Sequence, residues 1–251
     1  MTETADTSSW YTPADAEVDY VGEYRLTVVR HAATTPAASA GAELSAHDPV
    51  AARRFAESFG TIETVVDDLG TAAATEGLFA ETRADLELVR VGCWGDVIEI
   101  TDPGLVHRDG SHPVEAEAEA LAERYPDAVV IAWCVIDYNM PLGAWKIIHP
   151  DGTRLFAADG AKEGDWELDG SVAAVTTAFG ITAQDIADAD LELGEEGMGP
   201  NWDGLCTLAL SKVSPLYREG EEGREGRELS VFRVAHTEDA IDDMEEIWLG
   251  N

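Results

Sequence analysis

Val129-Val-Ile-Ala-Trp-Cys-Val-Ile136 is an uncharged run, almost wholly apolar and rich in β-branched residues. A strand with one wet face alternates apolar and polar residues, so a strand that is apolar at every position must be covered on both faces. This run is therefore expected to be interior, and the rest of the chain is read outward from it. Just before it, Val114, Ala118, Leu121 and Tyr125 share one helical face, while Glu115, Glu117, Glu119 and Glu123 point away. Pro113, preceded by Ser111 or His112 at the cap, opens this helix over 113–125, and Pro126-Asp127 stops it. After the run, 144–149 and 153–157 flank Pro150-Asp151-Gly152, a natural hairpin turn.

Further upstream, two β-rich runs at 86–91 and 97–101 enclose Gly92-Cys93-Trp94-Gly95-Asp96 and should pair antiparallel. Residues 24–31 alternate, with Tyr24, Leu26 and Val28 on one side and Arg25, Thr27 and Val29 on the other, as in a strand. Asp48-Pro49 reads as a cap followed by proline in the first turn. The spacing of Ala51, Phe55, Phe59, Ile62, Val66 and Leu69 predicts a helix over 49–69, bent or broken at Gly60. The order from 24 to 136 is then β-α-β-β-α-β, the order of an α+β ferredoxin-like sandwich, with further strands added to its sheet.

Leu121-Ala-Glu-Arg-Tyr-Pro-Asp127, the strand that follows, Gly143-Ala-Trp-Lys146 and Asp151-Gly152 together resemble the ferredoxin-like domain of a family of uncharacterised phage and plasmid proteins. The resemblance implies a fold and assigns no catalytic residue. The expected organisation is a flexible acidic lead-in over 1–20, a ferredoxin-like domain over 21–158 and an α+β C-terminal segment over 159–251. That segment reads as helices at 172–179 and 182–189, strands at 205–213 and 229–235, and a last helix at 239–248 capped by Thr237. It forms either a second small unit or an extension of the first sheet.

Charge narrows the function. Fifty acids against 16 bases give a formal charge of -34, which argues against nucleic acid and anionic membranes as partners. Only Lys146, Lys162 and Lys212 are lysines, and acids occur throughout the chain. This pattern resembles proteins of salt-accumulating haloarchaea and their viruses, where molar salt shortens the Debye length to about 3 Å and screens the self-repulsion. No apolar run is long enough to span a bilayer, and the first residues carry acids where a signal peptide needs bases, so a cytoplasmic location is expected. Cys93, Cys134 and Cys206 are widely spaced, without a C-x-x-C pair, and suggest neither disulfides nor a zinc ribbon.

Candidate chemistry is sparse. His107, Asp109 and His112, with Asp102 nearby, are the densest group of possible metal ligands and would suit zinc or another transition metal. Their spacing fits no standard zinc site, and Pro103, Gly104 and Gly110 suit a simple connector, so no metal is assigned. Asp185, Asp188, Asp190 and Glu192 lack the glycine and terminal glutamate of a calcium loop. Val175, Phe179, Gly180, Ile181 and Ile186 have helix-turn-helix spacing, but 182–190 contains no base to meet phosphates. Cys93, beside Trp94 in a turn, is expected to be the exposed thiol, and Cys134 a core residue. Trp94, Trp166 and Trp202 are read as loop residues, either packed or available as interface anchors.

There is no P-loop, no G-x-G-x-x-G and no G-x-S-x-G, so no cofactor is expected. The expected function is a non-enzymatic binding or assembly protein of a haloarchaeal mobile element or virus, with a protein as its partner. The alternatives are a small metal-dependent hydrolase using the 107–112 loop and an acidic mimic of nucleic acid that binds a basic protein.

Overall fold

A computed structural model describes residues 10, 12–30, 44–77, 79–106, 112–137, 142–159, 166–193, 201–218 and 223–250. The strand announced by the apolar run, β5 (Val129–Asp137), is interior and lies between β1 (Val21–Val29), the middle strand of the sheet, and β6 (Leu142–Ile148). From β1 the sheet continues through the hairpin of β4 (Val97–Thr101) and β3 (Leu88–Trp94), then β9 (Glu228–His236), to an edge at β2 (Ile62–Ala73). From β6 it continues to β7 (Arg154–Asp159) and an edge at β8 (Trp166–Gly170). All nine strands pair antiparallel in one sheet, ordered β2-β9-β3-β4-β1-β5-β6-β7-β8.

Helices cover both faces, which is why β5 carries no wet side. One layer holds α1 (Pro49–Ala56), α2 (Pro113–Arg124) and α7 (Glu238–Trp248), whose Phe55, Leu121 and Met244 share a core with Tyr24, Leu26, Val130 and Ala132. The other holds α3 (Val172–Ala178), α5 (Trp202–Val213) and the single turn α6 (Pro215–Arg218). Their Val175, Leu205, Ala209 and Leu216 share a second core with Val129, Ile131, Trp133 and Ile147. A short helix, α4 (Ala183–Asp188), buries no residue.

The ferredoxin-like sandwich expected from the element order is not the fold. The sheet has nine strands and a helix layer on each face, and the second layer is built by the C-terminal third of the chain, whose strand β9 inserts between β2 and β3. Two misread segments account for the difference. The expected helix over 49–69 ends at Ala56, and its second half is strand β2. The pairing of β2 with β9 slips between Ile62 and Thr64, between Val65 and Asp67, and between Asp68 and Thr71. Each added residue shifts the period-two pattern by one, so the apolar residues fall at steps of three and four and imitate a helix stripe. Val66 and Leu69, on the imagined stripe, are about half exposed, at 54% and 49%.

The expected strand over 205–213 is helix α5, capped by the Asn201 side chain, which accepts from the Gly204 amide. Its buried residues Trp202, Leu205, Cys206, Ala209 and Leu210 recur at three- and four-residue steps. Other local readings agree with the structure. Asp48 caps α1 and accepts from the amides of Val50 and Ala51, Thr237 caps α7, and α2 begins at Pro113.

Two glycines make room for buried indoles. A Cβ on Gly92 would lie 2.0 Å from the ring of Trp94, and one on Gly143 would lie 2.4 Å from the ring of Trp145. Residues i and i+2 share a strand face, so each indole lies back over a glycine that has no side chain to meet it.

Candidate functional site

The face of the sheet beneath α5 and α6 carries a buried polar group inside an apolar layer. Glu99 comes from β4, in the sequence Val-Ile-Glu-Ile-Thr, and is buried. Alternation along the strand sends Ile98 and Ile100 to the α1/α2 side and Glu99 to the other. Arg224, just before β9, meets Glu99 in a two-pronged pair, with Nη1 donating to Oε1 at 2.7 Å and Nη2 to Oε2 at 2.6 Å. The Tyr217 hydroxyl of α6 donates to the same carboxylate and lies 3.1 Å from Thr27 Oγ1 on β1. The guanidinium of Arg224 stacks over the Tyr217 ring at 5.1 Å, and that of Arg25 over Trp133 at 5.5 Å.

The carboxyl of Glu99 titrates at about 2. Burial alone would push it up, but the charges of Arg224 and Arg25, with hydrogen bonds from Arg224 and Tyr217, outweigh burial. Arg25 is held above its ordinary value: burial works against its charge, and Glu99 with Tyr217 overcomes it. Burial and the Glu99 charge both raise the Tyr217 phenol, so it stays protonated.

These residues form the floor of a cleft of about 420 Å³. Arg90 of β3 lines it further out, its Nη1 donating to the backbone carbonyl of Glu76. At the mouth are Glu23, Glu76 and Phe79, all exposed, with Phe79 at 52%. Three arginines thus converge on one cleft of a chain with 16 bases. On the floor, one carboxylate faces two guanidiniums, and Arg224 takes both of its oxygens. Arg25 keeps its charge, is paired to no carboxylate oxygen of its own among the described residues, and is positioned by Trp133 and Tyr217.

The residues singled out from sequence lie elsewhere. His107 and Asp109 fall outside the described residues. His112 precedes α2, packs edge-on against Phe156 at 5.2 Å between ring centres and sits 3.3 Å from Glu167. Asp102 is not beside it but inside the α1/α2 core, accepting from Thr61 Oγ1 and from the Gly104 amide at 2.8 Å, with His236 Nε2 at 2.9 Å. Burial opposes the Asp102 charge, but His236, Thr61 and Gly104 outweigh it and hold its carboxyl below the ordinary value. Among the described residues, no group of three His, Cys, Asp or Glu could hold a metal ion.

Asp185 serves α4 and Lys212: it accepts from Thr182 in a capping box and lies 2.6 Å from the Lys212 ammonium. Cys93 is a buried residue of β3, its thiol pushed up to about 12, by burial first and then by Asp48. Trp94 is buried in β3, its Nε1 donating to the Glu228 carbonyl, and Trp202 is buried in α5 against Trp145.

Sequence reading missed Glu99, Arg224 and Tyr217. The legible signal was Glu99 itself, a carboxylate between two isoleucines in a strand. Its partners come from a segment more than a hundred residues away, at separations of 118 and 125. Among the described residues, no helix is long and apolar enough to cross a membrane.

Fold and cleft together define an α+β protein in which a single antiparallel sheet lies between two helix layers, with an arginine-lined cleft on one face. Residues 9–251 match DUF6333, a family of unknown function, and the chain belongs to it. Neither the curated proteins nor the solved structures give a match.

Proposed function

We propose that the protein is a non-enzymatic binding protein whose ligand is a small organic anion, held by its carboxylate against Arg25 in the cleft under α5 and α6. The observation that carries this reading is the floor, where one carboxylate, both of whose oxygens are already taken by Arg224 and Tyr217, stands against two guanidiniums. A second carboxylate, supplied by a ligand, would complete the arrangement with a charge-assisted pair. Trp133 and Phe79 add an apolar wall and an apolar lip, as in small-molecule sites generally.

Binding is favoured over catalysis by the state of the floor groups. Glu99 stays ionised and Tyr217 protonated at neutral pH, so neither exchanges a proton easily there. No histidine, cysteine or lysine is among the described residues lining the cleft.

Calorimetric titration with benzoate and succinate, each beside its neutral amide, tests the reading. The acids should bind and the amides should not. Arg25→Leu should weaken binding of the acids at least tenfold, about 1.4 kcal/mol, in keeping with a hydrogen bond to a charged partner. Equal binding of acid and amide, or an unaffected Arg25→Leu variant, would sink the proposal.

A further inference from the structure

On the opposite face of the sheet a second cleft, of about 350 Å³, opens between α1, the end of α2 and the β3–β4 hairpin. It too is lined by three arginines: Arg30 just after β1, Arg54 on α1 and Arg124 at the last position of α2. Asp48 is the only acid among its described lining residues, and that carboxylate already accepts from the amides of Val50 and Ala51, both at 3.0 Å. In a chain with three acids for every base, a cleft with three bases and one engaged acid reverses the balance.

The arginines are only partly occupied. Arg30 donates from Nη2 to the Gly95 carbonyl and lies 3.8 Å from Asp96, while its buried Nε has no partner among the described residues. Arg124 donates from Nη1 to Ser58 Oγ at 2.7 Å and stacks on Tyr125 at 5.2 Å. Arg54 is exposed and forms no ion pair among the described residues. The apolar part of the lining is Phe55, Ile98 and Tyr125.

We propose that this cleft binds the phosphate group of a small phosphorylated molecule, its organic part resting on Phe55 and Tyr125. Three guanidiniums offer more donors than the two oxygens of a carboxylate can accept, whereas a phosphate monoester presents three terminal oxygens and up to two charges. Long-range attraction cannot gather phosphate on a surface of charge -34, so saturable binding would have to come from a local site. The competing account is structural: Arg54 and Arg124 lie in the last turns of their helices, where a cation stabilises the helix dipole. That account requires no ligand.

Titration of the full chain with inorganic phosphate and with phenyl phosphate, at fixed KCl and without sulfate, separates the two. Phenyl phosphate should bind saturably and at least threefold more tightly than inorganic phosphate, because only the ester can place a ring on the apolar lining. Arg54→Ala should weaken it at least tenfold without lowering the Tm, since Arg54 has no ion pair among the described residues to lose. Arg25→Leu, on the other face, should leave it unchanged, so this proposal and the carboxylate reading fail independently. Absence of saturable binding at about 10 mM of either probe would overturn the proposal. So would binding that survives Arg54→Ala. Tighter binding of inorganic phosphate than of the ester would overturn the assignment of a phosphorylated organic molecule.

Discussion

Replacing Glu99 by glutamine tests the floor of the first cleft with almost no change of shape. The amide keeps one acceptor oxygen but loses the charge, so the buried Arg224 guanidinium faces a neutral group and Arg25 loses the charge that does most to hold it above its ordinary value. The fall of the Glu99 carboxyl from 4.5 to about 2 corresponds to about 3 kcal/mol of native-state stabilisation at neutral pH. Breaking a buried pair from one side costs about 3 to 5 kcal/mol, which agrees. Because the folded carboxyl titrates below the unfolded one, the contribution is complete above about pH 4.5 and disappears as pH falls towards 2. Urea unfolding of wild type and Glu99→Gln should therefore differ by about 3 kcal/mol at pH 7, with a gap that closes steadily below pH 4.5. Taking the difference between the two proteins removes the other titrating acids, which they share. A gap below about 1 kcal/mol at pH 7, or one that does not change with pH, would refute the buried charge pair.

Gly92→Ala should cost about 1 to 3 kcal/mol by overpacking, because its Cβ would meet the buried Trp94 ring at 2.0 Å; adding Trp94→Phe should recover part of the loss in a guanidinium melt. Asp102→Ala leaves the Thr61 hydroxyl, the Gly104 amide and the His236 ring without their shared acceptor at a site with no exposure, and urea unfolding should register a loss of about 3 kcal/mol or more. Raising KCl from about 0.1 M to about 2 M should lift the Tm by roughly 5 to 10 °C, as screening relieves a charge of -34; a Tm that does not move would show that the surface carries little net repulsion.

Segments with a clean period were legible in the sequence, and segments with a disturbed period were not. The 113–125 stripe became α2 (Pro113–Arg124), and the alternation after residue 24 lies within β1. The β3–β4 hairpin was legible but its loop was not: the expected five-residue loop over 92–96 shrinks to Gly95 and Asp96, with Gly92, Cys93 and Trp94 inside β3, and Gly95 takes a positive φ of 69° that other residues avoid. In β2, three slips of register destroyed the alternation that would have identified it. In α5 the Leu-Cys-Thr-Leu-Ala-Leu run is apolar at nearly every position and so passes for a buried strand, although its buried residues Leu205, Cys206, Ala209 and Leu210 fall at helical steps that Trp202 extends. Those two errors were enough to misplace the fold, since β2 together with β9 extends one end of the sheet and α5 covers the second face. No local signal announces that β9 inserts between β2 and β3, because pairing across that distance is set by packing of the whole sheet rather than by neighbours in sequence.

The clefts became visible for a related reason. Each strand sends alternate residues to opposite faces, so the same strands furnish both sites: β4 gives Glu99 to one cleft and Ile98 to the other, and β3 gives Arg90 to one and Cys93 to the other. Where acids are common, an acid at a site says little, but a base is rare enough that its position is informative. Arg25, Arg90 and Arg224 meet on one face and Arg30, Arg54 and Arg124 on the other, six of the chain's 16 bases in two clefts. Dispersed, each would relieve part of the surface repulsion by pairing with a neighbouring acid. Gathered in threes, with Glu99 held by Arg224 and the exposed Glu23 and Glu76 at the mouth of one cleft, and Asp48 the single acid among the described lining residues of the other, they forgo part of that relief. Arg224 recovers that relief through Glu99, but Arg25 and Arg54, which form no ion pair among the described residues, would recover it only with an anion bound, and for that reason we place ligands in both clefts rather than treat the arginines as surface charge.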